Sequence, residues 1–149
     1  GLSFFDRQLL DRGIDLKLGR EHIALNQSTI DEIPSSDYVK VELDTSVQAT
    51  LDKLKAAQTT EAYVCDNEGI LLGKVNVLDL HGAGGLSEVM DTEPLTFKGA
   101  DSLTHAMEKA SEFVGESIPV VEDGRLVAAL TEGDLFNKVL FVQAALRKE

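Results

Sequence analysis

The chain contains one structural unit twice. Residues 115–135, GESIPVVEDGRLVAALTEGDL, read as strand, tight turn, strand and the start of a helix, and residues 61–80, EAYVCDNEGILLGKVNVLDL, repeat the pattern more weakly. A shift of 56 residues places Val41 on Phe97, Val47 on Leu103, Leu51 on Met107 and Val64 on Val120. The second hairpin turn is one residue shorter, so the shift then becomes 55, placing Leu71 on Leu126, Gly73 on Ala128, Asn76 on Thr131 and Asp79 on Asp134. A duplicated unit limits the fold to those in which both copies use one scaffold and bury matching faces.

In the first copy, the alternation in YVKVEL (38–43) predicts a strand. Asp44 or Thr45 caps a helix over 46–58 whose Val47, Leu51 and Leu54 share a face, and Thr59-Thr60 ends it. Strands over 62–65 and 70–75 flank the turn Asp66-Asn67-Glu68-Gly69, and Asn76 opens one short helical turn ending at Gly82. Residues 81–85 are the linker. The second copy has a short helical turn (LSEVMD, 86–91), a strand at Leu95-Thr96-Phe97, and a helix capped by Asp101 or Ser102 carrying Leu103, Ala106, Met107 and Ala110. After its hairpin, a last helix over about 131–148 carries Leu135, Val139, Leu140, Val142 and Leu146. Before the repeats, Phe4, Phe5, Leu9 and Leu10 have helical spacing, IDLKLGREHIALNQ reads as an irregular or strand-like connector, and residues 28–33 form a helical turn capped by Ser28 and ended by Pro34.

The order β-α-β-β-α, given twice, predicts an α+β fold: two three-stranded sheets, each with helices on one face, packed sheet to sheet with pseudo-two-fold symmetry. A sheet this small is barely stable with one face in water. The expected division is a linker segment with a helix (1–36), a first repeat (37–85) and a second (86–149).

Composition narrows function by exclusion. A formal net charge of −12 opposes binding to nucleic acid or an anionic membrane surface. Cys65, the only cysteine, precludes an internal disulfide and reads as a small core residue. No apolar run approaches the roughly 20 residues of a membrane-spanning helix, and the start has no signal-peptide pattern. His22, His81 and His105 lie singly, without metal-ligand spacing, and neither a P-loop nor G-x-S-x-G is present. Gly82, Gly84 and Gly85 read as linker. No constellation suggests catalysis.

A helix, then IPVV, then DGRLVAALTEGDLF resembles a CBS domain, and two in tandem resemble a CBS pair, or Bateman module. In the second copy the resemblance rests on Pro119, Asp123-Gly124, Thr131 and Asp134; in the first, Tyr63 stands in the usual proline position and Asn76 in that of the hydroxyl residue. The leading segment, SFFDRQLLDRGIDLKLGREHIALNQSTIDEI, is similar to the segment joining the last membrane helix of CLC-type chloride channels and transporters to their CBS pair. The resemblance implies the cytoplasmic C-terminal regulatory part of an inner (plasma) membrane transport protein of bacterial CLC type, with the transport domain upstream in the same polypeptide, and a homodimer formed through the CBS pair.

Thr131-x-x-Asp134 has two readings. One is a capping box, in which each side chain satisfies the other's backbone N–H; Asn76-x-x-Asp79 reads likewise. The other, implied by the resemblance, is a nucleotide cleft in which the acid accepts hydrogen bonds from ribose hydroxyls. On that reading Thr131 and Asp134 act with Thr59 and Thr60 in one site, and Asn76 and Asp79 act with Gly115 and Glu116 in the other. Glu116, Glu132, the overall charge and the lack of a basic cluster make AMP, ADP or adenosine easier to accept than ATP. The competing expectation is a ligand-free structural dimerisation module, favoured if the stripe of Leu135, Val139 and Val142 exceeds what one repeat can bury.

Overall fold

The computed structural model describes residues 19–147. The helix expected around Phe4 to Leu10 lies outside them. Helix α1 (Gly19–Gln27) is followed by a 3-10 turn (Ile30–Glu32), β1 (Val39–Glu42), α2 (Val47–Ala57), the hairpin β2 (Glu61–Cys65) and β3 (Leu71–Asn76), and the short α3 (Val77–Leu80). A second 3-10 turn (Leu86–Glu88) leads to α4 (Leu103–Ala110), the hairpin β4 (Ile118–Glu122) and β5 (Arg125–Leu130), and α5 (Glu132–Arg147).

The fold is α+β, with both expected hairpins in place. In the first repeat β2 is central, parallel to β1 and antiparallel to β3. Its two faces do different work, as the period of two in a strand requires. Ala62 and Val64 point toward the helices and pack with Leu54, Val75, Leu80 and Leu86. Tyr63 and Cys65 point toward the other repeat and pack with Leu126 and Ala129. The second core gathers Phe97, Leu103, Ala106, Met107, Ile118, Leu130, Leu135 and Val139. Each buried large side chain of this kind contributes roughly 1.5–3 kcal/mol.

The pseudo-symmetry reaches fine detail. Each hairpin is irregular at the same place, between Val64 and Cys65 and between Val120 and Val121, so the bulge was duplicated with the unit. At the hairpin tips the repeats exchange two hydrogen bonds: Leu71 N–H donates to the Gly124 carbonyl (2.9 Å), and Leu126 N–H to that of Gly69 (3.0 Å). The segments leading into the repeats are also exchanged. Asp91, which leads into the second repeat, bonds in both directions to Lys74 of β3 (2.9 and 2.8 Å). Ser36, which leads into the first, donates its N–H to Ala129 of β5 (2.9 Å). The packing follows this crossing. Leu86, Val89 and Met90 join the core of the first repeat, and Leu25, Ile30 and Ile33 that of the second.

Several local expectations change. The connector is helical over residues 19–27: Leu25 is buried in the second core, and Arg20 Nη2 donates to the Leu146 carbonyl at the end of α5 (2.9 Å), so tertiary contact decides its state. Ser28 does not cap the turn after it. Its hydroxyl donates back to the Ala24 carbonyl (2.9 Å), and Thr29 holds the cap position. Ser46 caps α2, accepting from Ala49 N–H, where Asp44 or Thr45 was expected; Ser102, not Asp101, caps α4, accepting from His105 N–H. Residues 95–97 do not form a full strand. Phe97 alone bridges β4, donating to the Pro119 carbonyl and accepting from Val121 N–H, both at 2.8 Å. The chain then turns away at Gly99, whose N–H is held by the Glu122 carboxylate. The second sheet is therefore two-stranded plus this bridge. Leu135 and Val139 are fully buried and Val142 packs beside them, so the expected dimer stripe belongs to the protein's own core.

Gly73 shows how closely one exchanged segment lies. A Cβ there would sit 2.5 Å from the Asp91 carbonyl oxygen and inside the Met90 side chain. Gly73→Ala should therefore destabilise the protein by about 1–3 kcal/mol, whereas Ala128→Gly at the equivalent position should cost only about 0.5–1 kcal/mol. Urea denaturation of the two variants measures the difference.

Candidate functional site

Both hairpins begin and end at the same end of the molecule. Glu61 opens β2 opposite Asn76 at the close of β3, and Ile118 opens β4 opposite Leu130 at the close of β5. The helix starts at Asn76 and Thr131, and the approaches at Thr59-Thr60 and Gly115-Glu116, therefore share one end of the fold. The structure pairs these residues in a way the sequence did not suggest.

Thr131 and Asp134 form a reciprocal capping box: Asp134 N–H donates to Thr131 Oγ1 (3.0 Å) and Thr131 N–H to Asp134 Oδ2 (2.9 Å). The same Asp134 oxygen accepts a hydrogen bond from the Ser36 hydroxyl at 2.5 Å. A cap alone does not need this second partner, which comes from the segment crossing over from the first repeat. Between that segment and α5 lies an open groove of about 470 Å³, lined by Ile33, Pro34, Ser36, Asp134, Lys138 and Phe141 among others. Its volume falls within the range of small-molecule sites. Lys138 is ion-paired with Glu32 (3.2 Å) and lies over the Phe141 ring at 5.1 Å. Burial pushes the neighbouring Glu132 carboxyl up from its ordinary pKa.

Asn76 and Asp79 do not form such a box. Asn76 Oδ1 accepts from Leu78 N–H (2.9 Å), while Asp79 is exposed and makes no side-chain hydrogen bond among the described residues. The difference follows from the sequence: an amide replaces the hydroxyl, and α3 has only four residues.

Thr59 and Thr60, grouped above with Asp134, contact Glu116, grouped above with Asn76. Both threonine hydroxyls donate to the Glu116 carboxylate, that of Thr60 at 2.6 Å, and Thr60 N–H adds a third bond at 2.9 Å. Burial raises the Glu116 carboxyl's pKa, but these three bonds and nearby Lys74 outweigh it, and the net shift is downward. Glu116 N–H is bound by Glu61 (2.8 Å), whose charge Lys74 balances at 3.2 Å. Gly115 fits here because a Cβ would lie 2.7 Å from Phe113 and 3.0 Å from the Glu61 carboxylate. The centre of this end is thus a polar cross-link between the repeats.

Beneath it, Tyr63 is buried, with its hydroxyl bonded to that of Ser117 and its ring edge-on to Tyr38 at 5.7 Å. Burial foremost, with the Glu61 and Glu116 charges, pushes its phenol up to about 12, against the lowering effect of the Ser117 bond. Cys65 is buried on the same face, and burial raises its thiol pKa. Among the described residues, no group of three or more His, Cys, Asp or Glu could hold a metal ion, and no helix is long and apolar enough to cross a membrane.

Ser36, Glu61 and Lys74 belong to this constellation but were not singled out from the sequence. The repeat held a signal for the first: applied before β1, the 56-residue shift aligns residues 35 and 36 with Asp91 and Thr92, marking both approaches as equivalent parts.

A family model described as the CBS domain matches residues 30–83 and again 86–140. The chain belongs to the CBS-domain family. Its pair of CBS domains is similar in structure to a CBS domain pair/ACT domain protein of Thermotoga maritima, with 26% identity and a TM-score of 0.68 over 76% of this chain and 97% of that one. CBSX2 of Arabidopsis thaliana shares the fold at 23% identity and a TM-score of 0.70 over 78% and 97%, and a structure of CBSX2 contains AMP. The CBS domain pair of protein MJ0100, in complex with 5′-methylthioadenosine and S-adenosyl-L-methionine, shares it at 21% identity and a TM-score of 0.63 over 78% and 98%. No curated protein sequence matches the chain.

Two measurements probe this end of the CBS pair. In an absorbance titration, Tyr63 should ionise only near pH 12; Tyr63→Phe should remove that late phase. The second concerns Glu116. Its folded pKa lies below the unfolded value of about 4.3, so the ionised carboxylate stabilises the fold above that value and the contribution disappears as pH falls through the folded pKa. Wild type should be more stable than Glu116→Gln at neutral pH, and the difference should shrink as the pH falls below the unfolded value and through the folded pKa beneath it.

Proposed function

We propose that this CBS pair is a regulatory module that binds an adenosine-based ligand, nucleoside or nucleotide, in the groove beside Asp134. The Ser36–Asp134 contact carries this reading. It places a carboxylate, a natural acceptor for ribose hydroxyls, where the crossing segment of one repeat meets the helix start of the other. Ile33, Pro34 and Phe141 offer apolar surface for a purine. The AMP bound by CBSX2 and the adenosine derivatives bound by MJ0100 support the ligand class. A ligand shifts an equilibrium only by its differential affinity for two states. One replacing the Ser36 hydroxyl at Asp134 would act on a contact made by both repeats, coupling occupancy to their arrangement. The module is regulatory, without catalytic chemistry of its own.

The similarity of residues 3–33 to the CLC connecting segment supports the finer reading: the cytoplasmic regulatory part of a chloride channel or transporter in the inner (plasma) membrane, modulating ion transport and pairing as a homodimer. The ligand-free dimerisation reading retains one observation, the exposure of Leu140 and Phe141 on α5.

Isothermal titration with adenosine, AMP, ADP and ATP tests the ligand reading. Saturable binding of at least one of them at up to millimolar concentration is expected, with a loss on Asp134→Ala of about tenfold or more, the effect of one or more hydrogen bonds to a charged group. The lost cap should cost about 0.5–2 kcal/mol of stability, so thermal unfolding must show the variant folded. Absence of heat from every ligand, together with a dimer in analytical ultracentrifugation that no nucleotide changes, would replace this reading with the structural one.

A further inference from the structure

The Glu116 carboxylate occupies a set of donors that would suit an anion. Two hydroxyls and one backbone N–H, from Thr59 and Thr60, converge on it from the opposite repeat. A phosphate group recruits such donors, and here a side chain of the protein fills them. The strand register places it at the end of the hairpin where α5 and Asp134 begin, beside the groove and outside its lining: Ile118 pairs with Leu130, so Glu116 lies two residues before, and Thr131 one residue after, a paired position on adjacent strands. The cations nearby are already engaged. Lys74 is bound to Glu61, with both side chains largely buried, and Lys138 to Glu32. An anionic group arriving here would have to displace Glu116 from three hydrogen bonds or remain beside its charge.

We infer that Glu116 determines ligand specificity at the proposed site: its carboxylate, seated on Thr59 and Thr60, holds the place of a 5′ anion, so the site takes adenosine compounds with an uncharged or cationic 5′ group in preference to those carrying phosphate. This rests on the adenosine-ligand reading above and adds to it the class of 5′ substituent. Asp134 is responsible for holding the ribose, and Glu116 for discriminating among what the ribose carries. The carboxylate keeps one lone-pair direction beyond its three bonds, enough to accept from a neutral or cationic donor.

The test is calorimetric titration of wild type, Glu116→Gln and Glu116→Asp with adenosine, 5′-methylthioadenosine, AMP and ATP, each protein first shown folded by thermal unfolding. Wild type should bind adenosine and 5′-methylthioadenosine about tenfold or more tightly than AMP, and ATP more weakly still. Glu116→Gln should shrink or reverse the ratio, and Glu116→Asp, which keeps the charge, should preserve most of it. In wild type the ratio should also fall with added salt, since screening weakens repulsion between exposed charges. If wild type binds AMP more tightly than adenosine, or if Glu116→Gln leaves the ratio unchanged, the specificity role is overturned while the adenosine reading stands. If no compound binds any of the three proteins, both fall together.

Discussion

A three-stranded sheet with Ala62 and Val64 on one face and Tyr63 and Cys65 on the other has no side it can leave in water. The rest of the architecture answers that constraint. Helices cover one face, and the second repeat covers the other with Leu126 and Ala129. Because both repeats face the same requirement, one two-fold-like apposition satisfies both, and the paired hydrogen bonds at the hairpin tips fix its register. Polar groups could then collect only where the chain enters and leaves the sheets, which is where the candidate site lies.

The site takes its character from a difference between the repeats. The duplicated scaffold supplies two equivalent helix starts, but only the second carries both a hydroxyl and an acid on a long helix. At the two approaches, Thr60 and Glu116 occupy equivalent positions with complementary chemistry, donors on one side and an acceptor on the other. A symmetric pair of threonines or of glutamates could not form this cross-link. The difference between the copies makes the contact directed, with Glu61 holding the Glu116 N–H and Lys74 paired to Glu61.

Much of this fold was legible because its signals are local. Strand-forming runs on either side of a tight turn marked both hairpins, the spacing of Leu103, Ala106, Met107 and Ala110 marked α4, and T-x-x-D marked the box at α5. What escaped was set by contacts across the chain. Residues 19–27 look irregular alone and become helical with Leu25 in a distant core. Leu95-Thr96-Phe97 has strand-forming residues, yet only Phe97 finds a partner before Gly99 turns the chain aside. For the candidate site residues, the end of the fold they occupy was legible but their contacts were not. Periodicity shows which end of a sheet a residue occupies; it does not show that Thr60 reaches Glu116 or that Ser36 crosses to Asp134.

The crossed approaches have a consequence for a repeat taken alone. Asp91 completes the edge of β3, and Ser36 that of β5, so neither repeat contains the segment that closes its own sheet. A single copy of this unit would find that segment only in another molecule. Two separate copies of the unit could close both sheets only by exchanging these segments with each other; a chain that carries both makes that exchange part of its own folding. Within one chain the two halves need not be alike, since neither has to complement itself.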